Sequence, residues 1–353
     1  MNWLPAPRLE KISVALASRR RGVTIAEVLV VIGLIGLLLA LALPAMQQVR
    51  EQSRLMVCKN RLRQFGLAAH EHEAFHQRFP YTAMNSGSLI GGVRQTHRSV
   101  SPHRELIRFL DPTAAQFIDT EDDTLDFVRN SPTISRSVSH RRLQQVIIPV
   151  LLCPSDKVAA GATNYRANFG VSPGIFPDNG TPYREPTARR GAFVNAKSVR
   201  SGEFTDGLST TAMFSERVLG DGDPSAYDPW RDRFLAPLPL YTAADVVSGC
   251  QTYASANPAQ HDSFGGYNWL LGGWRQTWYD HIAVPNSRIP DCVTGPGFTI
   301  GGGNGLMTAR SFHTGGVNVC FADGAVKLVA NTVDLNVWHA LGTRNGDEMV
   351  AID

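Results

Sequence analysis

The chain has 353 residues, of which 43% are hydrophobic and 18% are charged, a composition typical of globular proteins rather than disordered or fibrous ones. Five basic residues against one acidic residue fall in the first 22, so a chain without that segment carries a formal charge of −1 instead of +3. Because nucleic-acid-binding proteins need a cluster of basic side chains, we expect no nucleic-acid partner. A chain of this length with five cysteines is not a small disulfide-stapled scaffold.

Residues 23–43 form one apolar run whose only ionisable side chain is Glu27. At about 1.5 Å per residue, a helix of this length spans roughly 30 Å, the thickness of a bilayer core. The run therefore predicts one membrane-spanning helix. It is longer than the apolar region of an ordinary secretory signal, although Ala40-Leu41-Ala42 fits a small-x-small cleavage site and leaves that alternative open.

The string RRRGVTIAEVLVVIGLIGLLLALALPA, which begins at Arg19, resembles the processing site of type IV prepilins and type II secretion pseudopilins. The resemblance implies a basic leader over 1–22 and cleavage after Gly22 by a prepilin peptidase. It also implies methylation of Val23 and a filament role for Glu27, whose carboxylate would meet the N-terminal amine of a neighbouring subunit. It places the head outside the cytoplasmic (inner) membrane, in the periplasm or at the cell surface, on a single-pass anchor.

The helix is expected to continue as an amphipathic stem over 44–77. Small or apolar residues recur there at three- and four-residue steps, which is the spacing of one helical stripe that docks on a core: Leu55, Cys58, Leu62, Phe65 and Ala69. The sequence Arg78-Phe79-Pro80 predicts the end of the stem, because the residue before a proline is biased away from helix.

Residues 78–353 alternate short apolar runs with Gly, Pro, Asn and Asp clusters, which predicts many short strands joined by long loops. Helices are predicted near 103–118, 138–147 and 333–341. A three-strand meander is predicted over 306–329, where His313 and Asp323 would lie at corresponding ends of its first two strands. In the simpler alternative, which is the favoured one, Asp323-Gly324 only makes the turn and His313 hydrogen-bonds a loop.

His72-Glu73-Ala74-Phe75-His76 matches the H-E-x-x-H pattern of zinc hydrolases. The residues that follow lack the extension of those motifs, and a pattern with two free positions arises easily by chance in a segment rich in His and Glu. We therefore favour the end of a long helix over a zinc site, and expect no catalytic residue, resident metal or cofactor.

Several strings together resemble one bacterial family, domain of unknown function 1559, which pairs a prepilin-like start with a C-terminal His-x9-Asp-Gly motif. The motif falls here on His313, Asp323 and Gly324. The matching strings are CKNRLRQFGLAAH at 58–70, RFP at 78–80, LLCPSD at 151–156, TNYRANFG at 163–170, FTDGLSTTAMFSER at 204–217 and HTGGVNVCFADG at 313–324. The resemblance implies an address in the cell envelope and no particular reaction.

The five cysteines allow two disulfides and one free thiol. Cys58 and Cys153 both lie in the strings that resemble this family, and we expect them to pair. Cys250 and Cys292 flank a Gly- and Trp-rich insertion and form the natural second pair, which leaves Cys320 as a buried thiol.

The segment GYNWLLGGWRQTWYD is rich in aromatic residues, and the candidates for a ligand platform are Trp269, Trp274, Trp278 and Tyr279. If exposed, they would form a platform for sugar rings, and if buried they would be core. The buried alternative is the favoured one.

We expect an α+β, pilin-like fold, with a long N-terminal helix on a mostly antiparallel sheet and large loop insertions. The expected function is that of a non-enzymatic, pseudopilin-like envelope protein, whose partners are prepilin peptidase, the membrane and itself or other pseudopilins. The alternative is a membrane-tethered or secreted protein that binds a glycan or another solute. A zinc metallohydrolase is the remote third class.

Overall fold

The computed structural model describes residues 24–83, 89–90, 93–94, 100–116, 118, 145–171, 190–195, 197–236, 243–294 and 304–348. The chain divides into two units, residues 1–50 and 51–353. Helix α1, Ile25–His76, begins in the first unit and ends in the second. The chain has the α+β class that the sequence predicts.

In the first unit, α1 is exposed at every described residue from 24 to 50. It continues through Pro44 without interruption. Its most apolar stretch of 18 residues has a mean hydropathy of 2.8, and the helix is long and apolar enough to cross a membrane. An apolar helix without a polar face is suited to lipid or to other helices rather than to water.

In the second unit, α1 buries one stripe of side chains, which confirms the amphipathic pattern. The buried residues are Cys58, Leu62, Phe65, Gly66, Ala68, Ala69 and His72. The Phe65 ring lies 5.2–5.4 Å from the rings of His103, Tyr165 and Phe214. The helix ends where Gln77 takes a left-handed φ of 56° and its amide donates to the Glu73 carbonyl at 2.7 Å, a common way to close a helix.

The stem packs on a five-stranded sheet, whose strand order is β11-β10-β4-β3-β7. Its strands are β3, Tyr165–Asn168; β4, Ala212–Glu216; β7, Trp278–Tyr279; β10, Gly316–Phe321; and β11, Val326–Ala330. Only β3 and β7 pair in parallel. The largest hydrophobic core includes Phe65 of α1, Phe214 of β4 and Val319 of β10.

A second sheet has four strands in the order β6-β5-β8-β9. They are β5, Arg233–Ala236; β6, His261–Asp262; β8, Asp291–Thr294; and β9, Asn304–Leu306. Here β5 and β8 pair in parallel and the other pairs are antiparallel. Helix α4, Ala243–Ala256, packs with this sheet around a smaller core that contains Val246, Cys250 and Leu306.

The remaining described elements are short. They are the antiparallel pair of β1, Leu89–Ile90, and β2, Val93–Arg94, the helices α2, Pro102–Leu110, α3, Pro112–Ala115, and α5, Leu335–Gly342, and two 3-10 helices, Pro149–Leu151 and Ser201–Glu203. Ser101, Asp111 and Asp334 cap α2, α3 and α5 with side-chain oxygens that accept backbone amides. These helices confirm two of the predicted ones, whereas most of the third, 138–144, lies outside the described residues.

The predicted three-strand meander over 306–329 is wrong. Only β10 and β11 form a hairpin there, because β9 pairs with β8 in the other sheet and the second neighbour of β10 is β4. The strand that lies beside β10 therefore comes from about a hundred residues earlier in the chain. Spacing within 306–329 could not reveal this pairing.

Candidate functional site

The two disulfides join the pairs expected from the sequence. Cys58 of α1 bonds to Cys153, 95 residues away, and Cys250 of α4 bonds to Cys292 of β8, 42 residues away. Cys320 is a free, buried thiol. Burial raises the pKa of Cys320 to about 12, so this thiol stays protonated at neutral pH and is a poor nucleophile.

The Cys58–Cys153 disulfide lies against two buried ionisable side chains, His313 and Glu216. Nε2 of His313 is 3.4 Å from Sγ of Cys153 and 3.4 Å from Oε1 of Glu216. One ligand atom from each of these four residues lies within 4.8 Å of all the others, and all four residues are buried. We call Cys58, Cys153, Glu216 and His313 the Cys-His-Glu cluster.

The other ring nitrogen of His313 is held by α1. Its Nδ1 lies 2.7 Å from Oε1 of Glu51, and the same carboxylate accepts the hydroxyl of Ser155 at 3.2 Å. Burial acts to lower the pKa of His313, but the hydrogen bonds and charges of Glu216 and Glu51 outweigh it, and the pKa is raised. The pair of carboxylates therefore favours the charged imidazolium.

Amide groups orient the other members of the cluster. The backbone amide and the side-chain amide of Asn318 donate to the two oxygens of Glu216, at 2.8 and 3.0 Å. The backbone amide of Cys153 donates to Oδ1 of Asn164 at 2.8 Å, and Nδ2 of Asn164 donates to Asp156 at 2.7 Å. These contacts hold the cluster in one geometry, as preorganised binding sites require.

The cluster combines two kinds of chemistry. In the disulfide state it joins α1 to the loop of Cys153 by a covalent bond, and to the start of β10 by the ion pair of Glu51 with His313. With the disulfide opened, two thiolates, an imidazole and a carboxylate would face one point, and these are the ligand types that zinc prefers. In the part of the chain that the structure describes, this is the one group of three or more such side chains close enough to hold a metal.

The structure agrees with the favoured alternative for the His-x9-Asp-Gly motif, because His313 and Asp323 are not in contact. The two residues lie beyond opposite ends of β10, which as six residues is roughly 20 Å long. Oδ1 of Asp323 accepts the amide of Ala325 at 2.9 Å, and Gly324 takes a φ of 85° in the turn to β11. Asp323-Gly324 therefore makes the turn, as the simpler alternative proposed, while His313 binds carboxylates rather than a loop.

The Asp323-Gly324 turn lies against α1. A Cβ atom placed on Gly66 would come within 2.8 Å of the Gly324 Cα and 2.9 Å of the Cys320 Sγ. Only a residue without a side chain allows the helix to approach the turn so closely. Both ends of the His-x9-Asp-Gly motif therefore dock on the same helix, His313 through Glu51 and Gly324 through Gly66.

The rings of His72 and His76 in the H-E-x-x-H segment lie 4.4 Å apart, but these residues belong to no group of three or more metal-ligating side chains in the described chain. Nδ1 of His72 is 3.0 Å from the carbonyl of Arg78 and its Nε2 is 3.7 Å from Glu105. The Glu73 carboxylate accepts the Ser201 hydroxyl at 3.1 Å. Each of these side chains contacts a structural partner near the C-terminus of α1.

The exposed aromatic platform is not formed, which corrects that hypothesis. Trp269, Trp274, Trp278 and Tyr279 are each 0% exposed. Trp278 stacks on Phe169 with ring centroids 3.9 Å apart, and its Nε1–H donates to Oγ1 of Thr82 at 2.9 Å. Because their large apolar surfaces pack inside the main core, they present no face to a sugar.

The predicted processing residues lie at the edge of the described chain. Gly22 and Val23 fall outside the described residues. Oε2 of Glu27 accepts the amide and the hydroxyl of Thr24, at 2.8 and 3.0 Å. Within the described part of the first unit, the carboxylate is thus bound only by its own helical turn.

A family model described as Protein of unknown function (DUF1559) matches residues 47–336. The chain belongs to this family. No curated protein and no solved structure matches the chain. The DUF1559 match includes the whole Cys-His-Glu cluster and Glu51, and begins after the apolar run of α1. The family assignment therefore concerns the head and the stem, and by itself says nothing of the leader.

Sequence reasoning missed Glu51 and Glu216 as partners of His313. Glu216 lies inside the string FTDGLSTTAMFSER, so the co-occurrence of a cysteine, a glutamate and a histidine in separate family-like strings was an available signal. The sequence gives no such signal for Glu51, because this residue lies outside those strings and among several exposed charged residues of the stem. Only the docking of α1 brings it to His313.

Proposed function

We propose that the chain is processed after Gly22 by a prepilin peptidase and acts as a non-enzymatic, pseudopilin-like protein. The proposal builds on a DUF1559 chain with one exposed N-terminal apolar helix, which fits a membrane-anchored envelope protein. Its head would lie outside the cytoplasmic membrane, and its apolar helix would anchor it and assemble with other copies or with other pseudopilins.

The observation that carries the proposal is the setting of Glu27. It is the only ionisable residue of the run 23–43 and lies five positions after Gly22. An uncompensated carboxylate in hydrocarbon costs several kcal/mol, about 3 on insertion scales. A positively charged group from outside the chain that bound the Glu27 carboxylate would remove much of that cost. The N-terminal amine of a neighbouring processed subunit is such a group.

The exposure of the helix supports assembly in the same way. Residues 24–50 bury no side chain within their own unit, although apolar residues lie on all sides of the helix. Lipid alone satisfies such a surface, but packing against identical helices satisfies the surface and Glu27 together. The apolar helix of a secretory signal can have the same length and composition. Processing and assembly are therefore tested by separate experiments.

The assembly proposal is tested by cross-linking the full chain in isolated membranes, using Glu27→Ala and the control Gln48→Ala. Both residues are exposed polar positions of the same helical unit. We expect a ladder of cross-linked species for the parent chain and for Gln48→Ala, and only the monomer for Glu27→Ala. Both variants should keep the protease resistance of the head. An unchanged ladder in Glu27→Ala would contradict the proposal.

A further inference from the structure

The Cys-His-Glu cluster has the composition and size of a four-ligand zinc site. Its ligand atoms lie within 4.8 Å of one another. In a tetrahedral zinc site with bonds of about 2.0–2.3 Å, neighbouring ligand atoms are roughly 3.3–3.8 Å apart. The cluster therefore needs small movements to close around an ion, and its two sulfur atoms must separate.

The contacts around the cluster are those of a supported metal site. Glu51 binds Nδ1 of His313, which leaves Nε2 directed at Cys153 and Glu216. A carboxylate on the far nitrogen of a histidine is a common arrangement around zinc, because it fixes the ring and raises its basicity. Asn318 orients the Glu216 carboxylate from the other side.

We propose that the reduced chain binds one zinc ion through the thiolates of Cys58 and Cys153, Nε2 of His313 and Oε1 of Glu216. The disulfide and the zinc site exclude each other, because only thiolates bind the metal. Zinc would then join α1, the loop of Cys153, β4 and the segment before β10 in place of the S–S bond. The inference is independent of processing at Gly22.

The Cys58–Cys153 disulfide is opened by a phosphine reductant. The phosphine supplies two electrons that cleave the S–S bond, and water supplies the two thiol protons and the oxygen of the phosphine oxide. Zinc then displaces both thiol protons and the Nε2 proton of the His313 imidazolium, so that one ion binds and three protons are released. Two thiolates and one carboxylate outweigh the charge of the ion, and a neutral His313 completes the set. Soft thiolates together with an imidazole favour zinc over magnesium or calcium.

The Cys250–Cys292 pair is the internal control. It is also a buried disulfide, but it belongs to no group of metal-ligating side chains among the described residues. The full chain in detergent is reduced with tris(2-carboxyethyl)phosphine, incubated with zinc and desalted, and its metal content is measured. We expect one zinc per reduced chain, none per oxidised chain, and one per reduced Cys250→Ala/Cys292→Ala chain. We expect none in Cys58→Ala/Cys153→Ala.

A second measurement needs no variant that could fail to fold. The reduced parent chain is alkylated with iodoacetamide with and without zinc, and labelled cysteines are mapped by mass spectrometry. Alkylation needs the free electron pair of a thiolate, and zinc would occupy that electron pair on Cys58 and Cys153, so we expect zinc to slow their labelling by roughly tenfold or more. Labelling of Cys250 and Cys292 should not change. The proposal would be overturned if Cys58 and Cys153 were labelled equally fast with and without zinc. Equal zinc content of the oxidised and reduced chains would overturn it as well.

Discussion

Nδ1 of His313 lies 2.7 Å from Oε1 of Glu51, a residue 262 positions earlier in the chain. This contact joins the segment before β10 to the stem part of α1, beside the disulfide that joins the same helix to Cys153. The head and stem are thus linked by one covalent bond and one partly buried ion pair at a single place. The histidine of the family-like motif is part of that link.

The ion pair between His313 and Glu216 is expected to contribute to stability. His313→Gln leaves the buried Glu216 carboxylate without its charged neighbour, and we expect the free energy of unfolding to fall by about 3 kcal/mol. A double-mutant cycle with Glu216→Gln, measured by denaturant unfolding of the full chain, should give a coupling energy of about 1 kcal/mol or more. The matched cycle of Glu216→Gln with Asp323→Asn should be additive, since Asp323 lies at the other end of β10. Additivity in both cycles would contradict the ion pair.

The Cys58–Cys153 disulfide closes the longer loop and should stabilise the head more than the second disulfide. Its sequence separation is 95, against 42 for Cys250–Cys292. We expect Cys58→Ala/Cys153→Ala to lower the free energy of unfolding by about 4 kcal/mol, and loop length alone gives the other pair about 0.7 kcal/mol less. Denaturant unfolding of both variants measures this difference. If the Cys58→Ala/Cys153→Ala chain were as stable as the parent chain, the Cys58–Cys153 disulfide would not hold stem and head together.

The close approach of α1 to the β10–β11 turn predicts a cost for any side chain at Gly66. Gly66→Ala places a Cβ 2.8 Å from the Gly324 Cα, and such overpacking costs about 1–3 kcal/mol. Gly202→Ala is the control, because a Cβ at Gly202 meets nothing within 4 Å. Thermal unfolding should show a lower Tm for the first variant and an almost unchanged Tm for the second. Equal Tm values would mean that the helix and turn are not in contact.

Two buried histidines predict a loss of stability in mild acid. Burial lowers the pKa of His103 to about 4 and that of His281 to about 3, from an ordinary value of 6.5. Below pH 6.5 the unfolded chain takes up protons that the folded chain does not, so the free energy of unfolding falls as the pH falls toward the folded-state pKa values. Each histidine contributes a slope of about 1.4 kcal/mol per pH unit in that range. Denaturant unfolding at pH 7, 6 and 5 measures the slope of the free energy of unfolding against pH. We expect this slope to be smaller for His103→Gln than for the parent chain by this amount. Equal slopes would mean that His103 is protonated in the folded state as well.

The elements that follow from local pattern were predicted well. The end of α1 and its buried stripe depend on residues within one or two turns of each other. The same holds for the turn at Asp323-Gly324. Helix α4 was missed, although Val246, Cys250 and Ala254 recur at four-residue steps on its buried face. Its Gly, Ser and Thr residues are weak helix formers, and packing on the second sheet outweighs that propensity.

The site depends on contacts that no local pattern encodes. The place of β4 beside β10 brings Glu216 to His313, and the docking of α1 brings Glu51 to the same ring. The predicted three-strand meander, and with it the less favoured pairing of His313 with Asp323, failed because it assumed that neighbours in sequence are neighbours in the sheet. The aromatic segment failed as a platform because tryptophan side chains are equally suited to an exposed surface and to a core, and only the surrounding layers decide between them.

The N-terminus of the mature chain tests the proposed function most directly. The protein is isolated from its native membrane, and its intact mass and N-terminal sequence are determined. We expect a chain that begins at methylated Val23, lacks residues 1–22 and retains the apolar helix with Glu27. A chain that begins at Leu43, after Ala42, would show cleavage by an ordinary signal peptidase, and would contradict both the membrane anchor and the pilin-like assembly.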